Sequence, residues 1–301
     1  MPPPIVRPTA YRLTPLLQSK ASTTAAAVIA FSYLQGARAM STAYHRLHGK
    51  NVFITGASSG IGWACAERFA QAGSNVIISA RRLEQLQQLE TKLIADSPTS
   101  LVHTGQLDVT CKESVDTFVA SIPSKLKPID ILVCNAGLVL GLDKLLDVNP
   151  QHMDTMIDTN IKGLVYCIQT LLPQMLQAGG HIVNIGSIAG REPYAKGSIY
   201  CATKHAVHAI TQSLRCELID TPVKVTEICP GMVETEFSKV RFHGDELAAK
   251  NVYKGIDPLV ADDIADLVVF ATSRPKHVEI ADMVVFPHGQ ATATLSHRRT
   301  A

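Results

Sequence analysis

Asn51-Val-Phe-Ile-Thr-Gly-Ala-Ser-Ser-Gly-Ile-Gly62 is the stretch whose reading decides the fold. Val52, Phe53 and Ile54 form an apolar run that ends at Thr55, and Gly56, Gly60 and Gly62 follow with the spacing G-x-x-x-G-x-G. From residue 61 the apolar positions take up a helical period. A buried strand that opens through glycines into a helix offers backbone N–H groups and a helix N-terminus to a phosphate. Gly56, Ser58, Ser59, Gly60, Ile61 and Gly62 are therefore candidates for cradling a dinucleotide.

Outward from that stretch, short apolar runs alternate with longer amphipathic ones. The spacing predicts strands at 51–55, 75–80, 101–107, 129–134, 181–186, 223–229 and 284–286. Helices are predicted around 61–72, 82–95, 112–121, 152–177, 198–219 and 261–272. Near-continuous apolar strands separated by helices mean a parallel sheet covered on both faces. The expected class is α/β, a single-domain, doubly wound, Rossmann-like sheet spanning residues 46–301. Residues from Pro230 to about Pro258 read as a loop-rich insertion that could close over a site as a lid. His297-Arg-Arg-Thr-Ala301 reads as a frayed tail.

With 46% hydrophobic and 18% charged residues in 301, the chain can bury a large core. The net charge of +2 gives no argument for nucleic acid. Its distribution is uneven: residues 1–50 carry six basic side chains and no acid, and the first acid is Glu67. A basic, hydroxyl-rich, acid-free head over residues 1–45 suits a cleaved mitochondrial presequence, a disordered cytosolic tail or a weak anchor. Initiation at Met40 would omit nearly all of it. The most apolar part, residues 21–37, is interrupted by hydroxyls and is shorter than the roughly 20 apolar residues of a membrane span. Seven cysteines show no C-x-x-C pairing, which points to a reducing compartment rather than secretion. His205 and His208 share a helix without further ligands around them, so no metal site is expected.

The remaining candidates lie at the strand ends, where open α/β sheets bind ligands. Arg81 and Arg82 close the second strand with no acid beside them, a pattern that favours the 2′-phosphate of NADP over the bare ribose of NAD. Asp108 follows the third strand, at a place suited to an adenine amino group. Asn135-Ala136-Gly137 ends the fourth, beside the expected ribose. Ser187 ends the fifth, and Tyr200 and Lys204 lie one helical turn apart. An ammonium near a phenol favours the phenolate, which could then exchange a proton with a substrate oxygen.

Together these residues resemble the classical short-chain dehydrogenase/reductase family, over about Lys50 to Phe286. The likeness rests on T-G-A-S-S-G-I-G, Asp108, N-A-G, Asn160, Ser187, Y-x-x-x-K, and Pro230-Gly231 followed by Thr235. It implies that Tyr200 is the acid/base, that Ser187 orients the substrate oxygen and that Lys204 holds the nicotinamide ribose and lowers the tyrosine pKa. It also implies that Asn160 holds a water of the proton relay, and that Val233 and Thr235 lie against the carboxamide. Cys134 departs from the usual asparagine before N-A-G. The segment Met232–Asp245, with Ser198–Ala202 and Ile280–Pro287, is similar to the NADP-dependent 3-hydroxy acid dehydrogenases of yeast and bacteria. That narrower likeness implies a homotetramer acting on L-allo-threonine, serine, 3-hydroxyisobutyrate or related acids. Such a substrate needs a cation for its carboxylate; Arg241 is the first candidate and Arg191 the second. Two other readings stay open. One is a carbonyl reductase for an apolar steroid, retinoid or quinone, in a pocket lined by Leu138, Val139, Leu140 and Leu142. The other is a nucleotide-binding sensor without turnover.

Overall fold

Alternation along β1 (Asn51–Thr55) builds two cores at once. Val52 and Ile54 face one cluster of buried side chains, and Phe53 faces another. The computed structural model describes residues 45–299, so the basic head and Met40, read above from the sequence, lie outside the described residues. Six further strands share the sheet: β2 (Asn75–Ala80), β3 (Val102–Gln106), β4 (Ile131–Cys134), β5 (Gly180–Ile185), β6 (Val223–Pro230) and β9 (Asp282–Val285). All seven are parallel, in the order β3-β2-β1-β4-β5-β6-β9.

One face carries α1 (Gly60–Gln71), α2 (Leu83–Asp96) and α9 (Ala261–Thr272), which bury Phe69, Leu89 and Val268 with Val52 and Ile54. The other carries α3 (Lys112–Ser121), α5 (Gly163–Ala178) and α6 (Ser198–Glu217), which bury Phe118, Leu171 and Leu214 with Phe53. Strand order reverses between β1 and β4, and both carboxyl ends open there into one crevice. The expected doubly wound architecture is the one observed.

Several boundaries differ from expectation, each for a physical reason. The third strand is an edge, so its side chains stay partly exposed and it lacks the apolar run that marks the central strands. The fourth begins at Ile131, because the Ile129 N–H donates to the Gln174 side chain (3.3 Å). The last strand runs over 282–285, where its register against β6 pairs Asp282 with Glu227. The helix expected at 152–177 starts instead at Pro150, capped by the Asn149 side chain, and divides in two. α4 (Pro150–Ile157) passes through a π-helical turn, Asp158–Lys162, into α5.

The 230–258 insertion is folded rather than loop-rich. Two-residue strands β7 (Val233–Glu234) and β8 (Leu259–Val260) pair in parallel and close its base. Between them stand α7 (Glu236–Arg241), capped by Thr235 Oγ1, and α8 (Glu246–Asn251), capped by Asp245. The tail is not frayed through Arg299. The Arg299 N–H donates to the Gly255 carbonyl (2.8 Å), and Arg298 donates to the carbonyls of Val252 and Lys254 (3.0 and 2.8 Å). Those arginines satisfy carbonyls left over at the end of α8, which sequence spacing could not reveal.

Among the described residues, no helix is long and apolar enough to cross a membrane. One buried titratable group in this frame gives a stability signature. His181, on β5, is pushed down by burial to about 3 and stays neutral. Its Nε2 lies 2.7 Å from Thr226 Oγ1, which itself donates to the Ile280 carbonyl, so His181 is the donor. A histidine whose folded pKa is depressed stabilises the fold above its unfolded value, roughly 6.5. That contribution drains as pH falls from there towards 3. Between pH 7 and 5 the wild type should lose about 2 kcal/mol more than His181→Asn. Urea denaturation at the two pH values checks this, and equal losses would refute it.

Candidate active site

The crevice is shaped first by backbone. Gly56 turns at φ 67°, a left-handed conformation, and a Cβ there would lie 2.8 Å from Ala136 Cα. A Cβ on Gly62 would lie 2.5 Å from Asn135 Nδ2, so α1 starts hard against the end of β4. Asn135 Nδ2 donates to the carbonyls of Thr55 and Gly56, both at 3.0 Å. Thr55 Oγ1 accepts from the N–H groups of Asn135 (3.1 Å) and Ala136 (3.0 Å). Asn135 thus holds the glycine turn in shape instead of presenting its amide to a ligand.

A cavity of about 570 Å³ runs from this turn to the 230–258 insertion. Gly56, Ser58, Ser59, Gly60 and Ile61 form its floor, and Asp108, Asn135, Ala136 and Gly137 its middle. Pro230, Gly231, Val233 and Thr235 face them from the strand end and the insertion. Ser187, Tyr200, Lys204 and Arg241 line the far part. Gly62, Asn160 and Arg191 do not reach the cavity.

At the near end, Arg82 donates to Ser58 Oγ (3.0 Å), Ser59 Oγ (2.7 Å) and Glu236 Oε2 (3.0 Å). Burial alone would raise the Glu236 carboxyl, but hydrogen bonds from Arg82 and Ser59 hold it below its ordinary value. The Arg81 side chain has no hydrogen bond or ion pair among the described residues, and its carbonyl accepts from Gln106. Asp108 Oδ1 is taken up by the backbone and hydroxyl of Thr110 (3.0 and 2.8 Å). Arg81, Arg82 and the two serine hydroxyls line this end of the cavity together with Glu236, to which Arg82 is ion-paired.

At the far end, Tyr200 is 8% exposed and hydrogen-bonded to Ser187. Burial is the largest influence on its phenol and pushes it up; the Ser187 hydrogen bond and the Arg241 charge pull the other way. Among the described residues Lys204 makes no hydrogen bond to this phenol. The Lys204 ammonium instead donates to the Ile185 carbonyl (2.8 Å), and burial lowers it to about 8 against the opposing charge of Glu227. Asn160 is fully engaged by its side chain. Oδ1 accepts from the Leu138 N–H (2.8 Å), while Nδ2 donates to the Leu138 carbonyl (2.8 Å) and to Thr203 Oγ1 (3.0 Å). The wider π-helical turn lets a helix-interior amide reach that loop; such turns are frequent at functional sites.

The two substrate arginines part company. Arg191 leaves the cavity because Glu227 Oε2 (3.1 Å) and Asp282 Oδ2 (2.8 Å) hold its guanidinium beneath the sheet end. Arg241 stays. It donates to Tyr194 Oη (3.1 Å) and the Gly141 carbonyl (3.3 Å), lies 5.5 Å from the Tyr194 ring centre, and makes no ion pair among the described residues. The salt bridge to Glu234, Glu236 or Asp245 that would have neutralised it is absent from the described residues.

Sequence reasoning missed Tyr194, Phe237, Tyr253 and Gln290 as wall residues. Phe237 meets the Tyr200 ring edge-on at 5.6 Å. Gln290 Oε1 accepts from the Met232 N–H (2.8 Å), bringing the C-terminal segment to the cavity. Only Tyr194 carried a signal, as an aromatic inside the 187–204 stretch.

A sheet that reverses order over a glycine cradle, with Ser187, Tyr200 and Lys204 on one wall, defines a nucleotide-dependent oxidoreductase. A family model for short chain dehydrogenases matches residues 50–246, and the chain belongs to that family. It is 43% identical to an NADP-dependent 3-hydroxy acid dehydrogenase of Schizosaccharomyces pombe, covering 85% of this chain and 99% of that one. It is also 43% identical to a sulfoacetaldehyde reductase 2 of Chromohalobacter salexigens, covering 80% and 95% respectively. Among solved structures, the closed form of a serine dehydrogenase complexed with NADP+ matches with a TM-score of 0.78 and 41% identity. It covers 83% of this chain and 99% of that one.

Asn135→Ala should fold but unfold earlier, by roughly 1–3 kcal/mol, because the carbonyls of Thr55 and Gly56 lose their side-chain donor. An unchanged midpoint in thermal denaturation would show that the amide does not hold the turn.

Proposed function

We propose that this protein is an NADP-dependent dehydrogenase of small 3-hydroxy acids, working reversibly between the secondary alcohol and its carbonyl. L-allo-threonine, serine and 3-hydroxyisobutyrate are the substrates it would take. The observation that carries the proposal is Arg241, a cation on the cavity wall with no carboxylate partner among the described residues. A planar guanidinium suits a carboxylate through two parallel hydrogen bonds. The names of the relatives, which act on 3-hydroxy acids and serine, support the same reading.

The residues present fit NADP. The glycine turn, with no room for a Cβ at Gly56 or Gly62, admits a close approach of pyrophosphate to backbone. Arg81, Arg82, Ser58 and Ser59 would hold the 2′-phosphate, and Asp108 the adenine. Asn135, Ala136 and Gly137 would flank the ribose, and Pro230, Gly231, Val233 and Thr235 the nicotinamide end. When bound, the nicotinamide accepts the hydride of oxidation or returns it in reduction.

The chain's own residues handle binding and the proton. Tyr200 would take the hydroxyl proton onto its phenolic oxygen and return it in the reverse direction. Ser187, hydrogen-bonded to that phenol, would orient the substrate oxygen. Lys204 would turn its ammonium from the Ile185 carbonyl to the ribose hydroxyls and favour the phenolate. Asn160 would keep the Leu138 loop and the relay water in register. Leu138, Leu142 and Val240 would exclude water around a short carbon chain. A homotetramer in the cytosol or mitochondria belongs to the same proposal; the tetramer rests on the resemblance and the compartment on the basic head and the cysteine pattern.

Arg241→Met should lower kcat/KM on L-allo-threonine roughly a hundredfold, the loss of one charge-assisted contact. It should leave a neutral secondary alcohol nearly unaffected. A wild type that prefers an apolar alcohol, or an Arg241→Met variant unchanged on the acid, would favour the carbonyl-reductase reading. Binding of NADP with no turnover of either would favour the sensor.

A further inference from the structure

Behind the wall that carries Tyr200 and Lys204 lies a group of charged side chains with no part in the chemistry above. Glu227, on β6, has a side chain that is 0% exposed. Its Oε2 accepts from Arg191 Nη2 at 3.1 Å and lies 2.7 Å from His208 Nδ1. Arg191 also donates to Asp282 Oδ2 (2.8 Å) and lies 3.7 Å from Cys229 Sγ. The second carboxylate oxygen, Oε1, is buried with no hydrogen-bond partner among the described residues. It faces Gly186, where any Cβ would collide with it.

The neighbours of this carboxylate all belong to elements that present cavity groups. Gly186 directly precedes Ser187, and Arg191 ends the short turn Ile188–Gly190 that follows it. That turn packs so closely on α6 that a Cβ on Gly190 would strike the Lys204 carbonyl. His208 lies one helical turn beyond Lys204 and two beyond Tyr200, on the same stripe of α6. A buried carboxylate with an unpaired oxygen is costly, and a packed apolar side chain would usually be at least as stable. Stability alone therefore gives no reason for an acid here.

We propose that Glu227 is a positioning residue for Ser187 and Lys204. Through Arg191 it fixes the turn that carries Ser187, and through His208 it fixes the pitch of α6, which carries Tyr200 and Lys204. This rests on the roles given to Ser187, Tyr200 and Lys204 above. The burial of Lys204 works against its ammonium, and the charge of Glu227 opposes that loss. The titratable or charged groups around Glu227 are Arg191, His208, Cys229, Asp282 and Lys204, and of these Arg191 is its permanent counter-charge.

The test is the pH profile of kcat/KM for NADP reduction by L-allo-threonine in wild type, Glu227→Gln and Arg191→Met. On the roles given above, activity should fall at high pH as Lys204, lowered by burial to about 8, loses its proton. Removing the anion should move that fall to lower pH by about one unit, and removing the cation should move it to higher pH. A purely structural cluster would lower activity in both variants and leave the limb in place, or move it the same way in both. Either pattern overturns the proposal. If Glu227→Gln does not fold, Arg191→Met decides alone: a limb that stays or moves down refutes it. A wild type that reduces no NADP with any hydroxy acid overturns the functional assignment and this inference with it. An active wild type with unmoved limbs overturns only the inference.

Discussion

The carboxamide of Asn135 ties together the two strand ends between which the whole site opens. β1 and β4 are neighbours in the sheet, yet their chains leave in opposite directions, and the crevice exists because they do. Two carbonyls of the first turn accept from that one side chain, and the threonine hydroxyl beneath accepts from two N–H groups of the second. With the turn fixed, α1 begins where a phosphate can meet its N-terminus, and Gly137 lies within reach of Asn160 and Lys204.

From this hinge the cavity extends between two cations with different surroundings. Arg82 at one end is ringed by hydroxyls and a carboxylate from the insertion; Arg241 at the other has an aromatic face, a phenol and a carbonyl. Between them, Tyr200 and Lys204 are buried deeply enough that desolvation outweighs every nearby charge. A phenol pushed up and an amine pulled down are each biased towards neutrality. Small rearrangements of charge in such a low-dielectric setting shift both strongly.

Much of this was legible in the sequence because it depends on local order. The central strands followed from apolar runs, and the glycine turn from spacing at a strand end. The Ser187, Tyr200 and Lys204 grouping followed from one strand, one turn and one helix. What was not legible depends on partners far along the chain. Nothing near Arg191 announces that Glu227 and Asp282 will hold it, and nothing near Arg241 announces that its neighbouring acids point elsewhere. The π-helical turn at Asn160 is flanked on both sides by residues with α-helical backbone angles, so residue pattern does not mark it. Gln290 and the Arg298–Arg299 clasp act through contacts with the insertion, tens of residues away.

The proposed chemistry depends most on Tyr200 as the group that exchanges the substrate proton. The direct measurement is the rate of NADP reduction by L-allo-threonine in wild type and Tyr200→Phe, with NADP binding followed by fluorescence. The account expects kcat to fall by about a thousandfold in the variant, within the span of general acid–base catalysis, while cofactor binding stays near wild type. A Tyr200→Phe enzyme that turns over at the wild-type rate would contradict it.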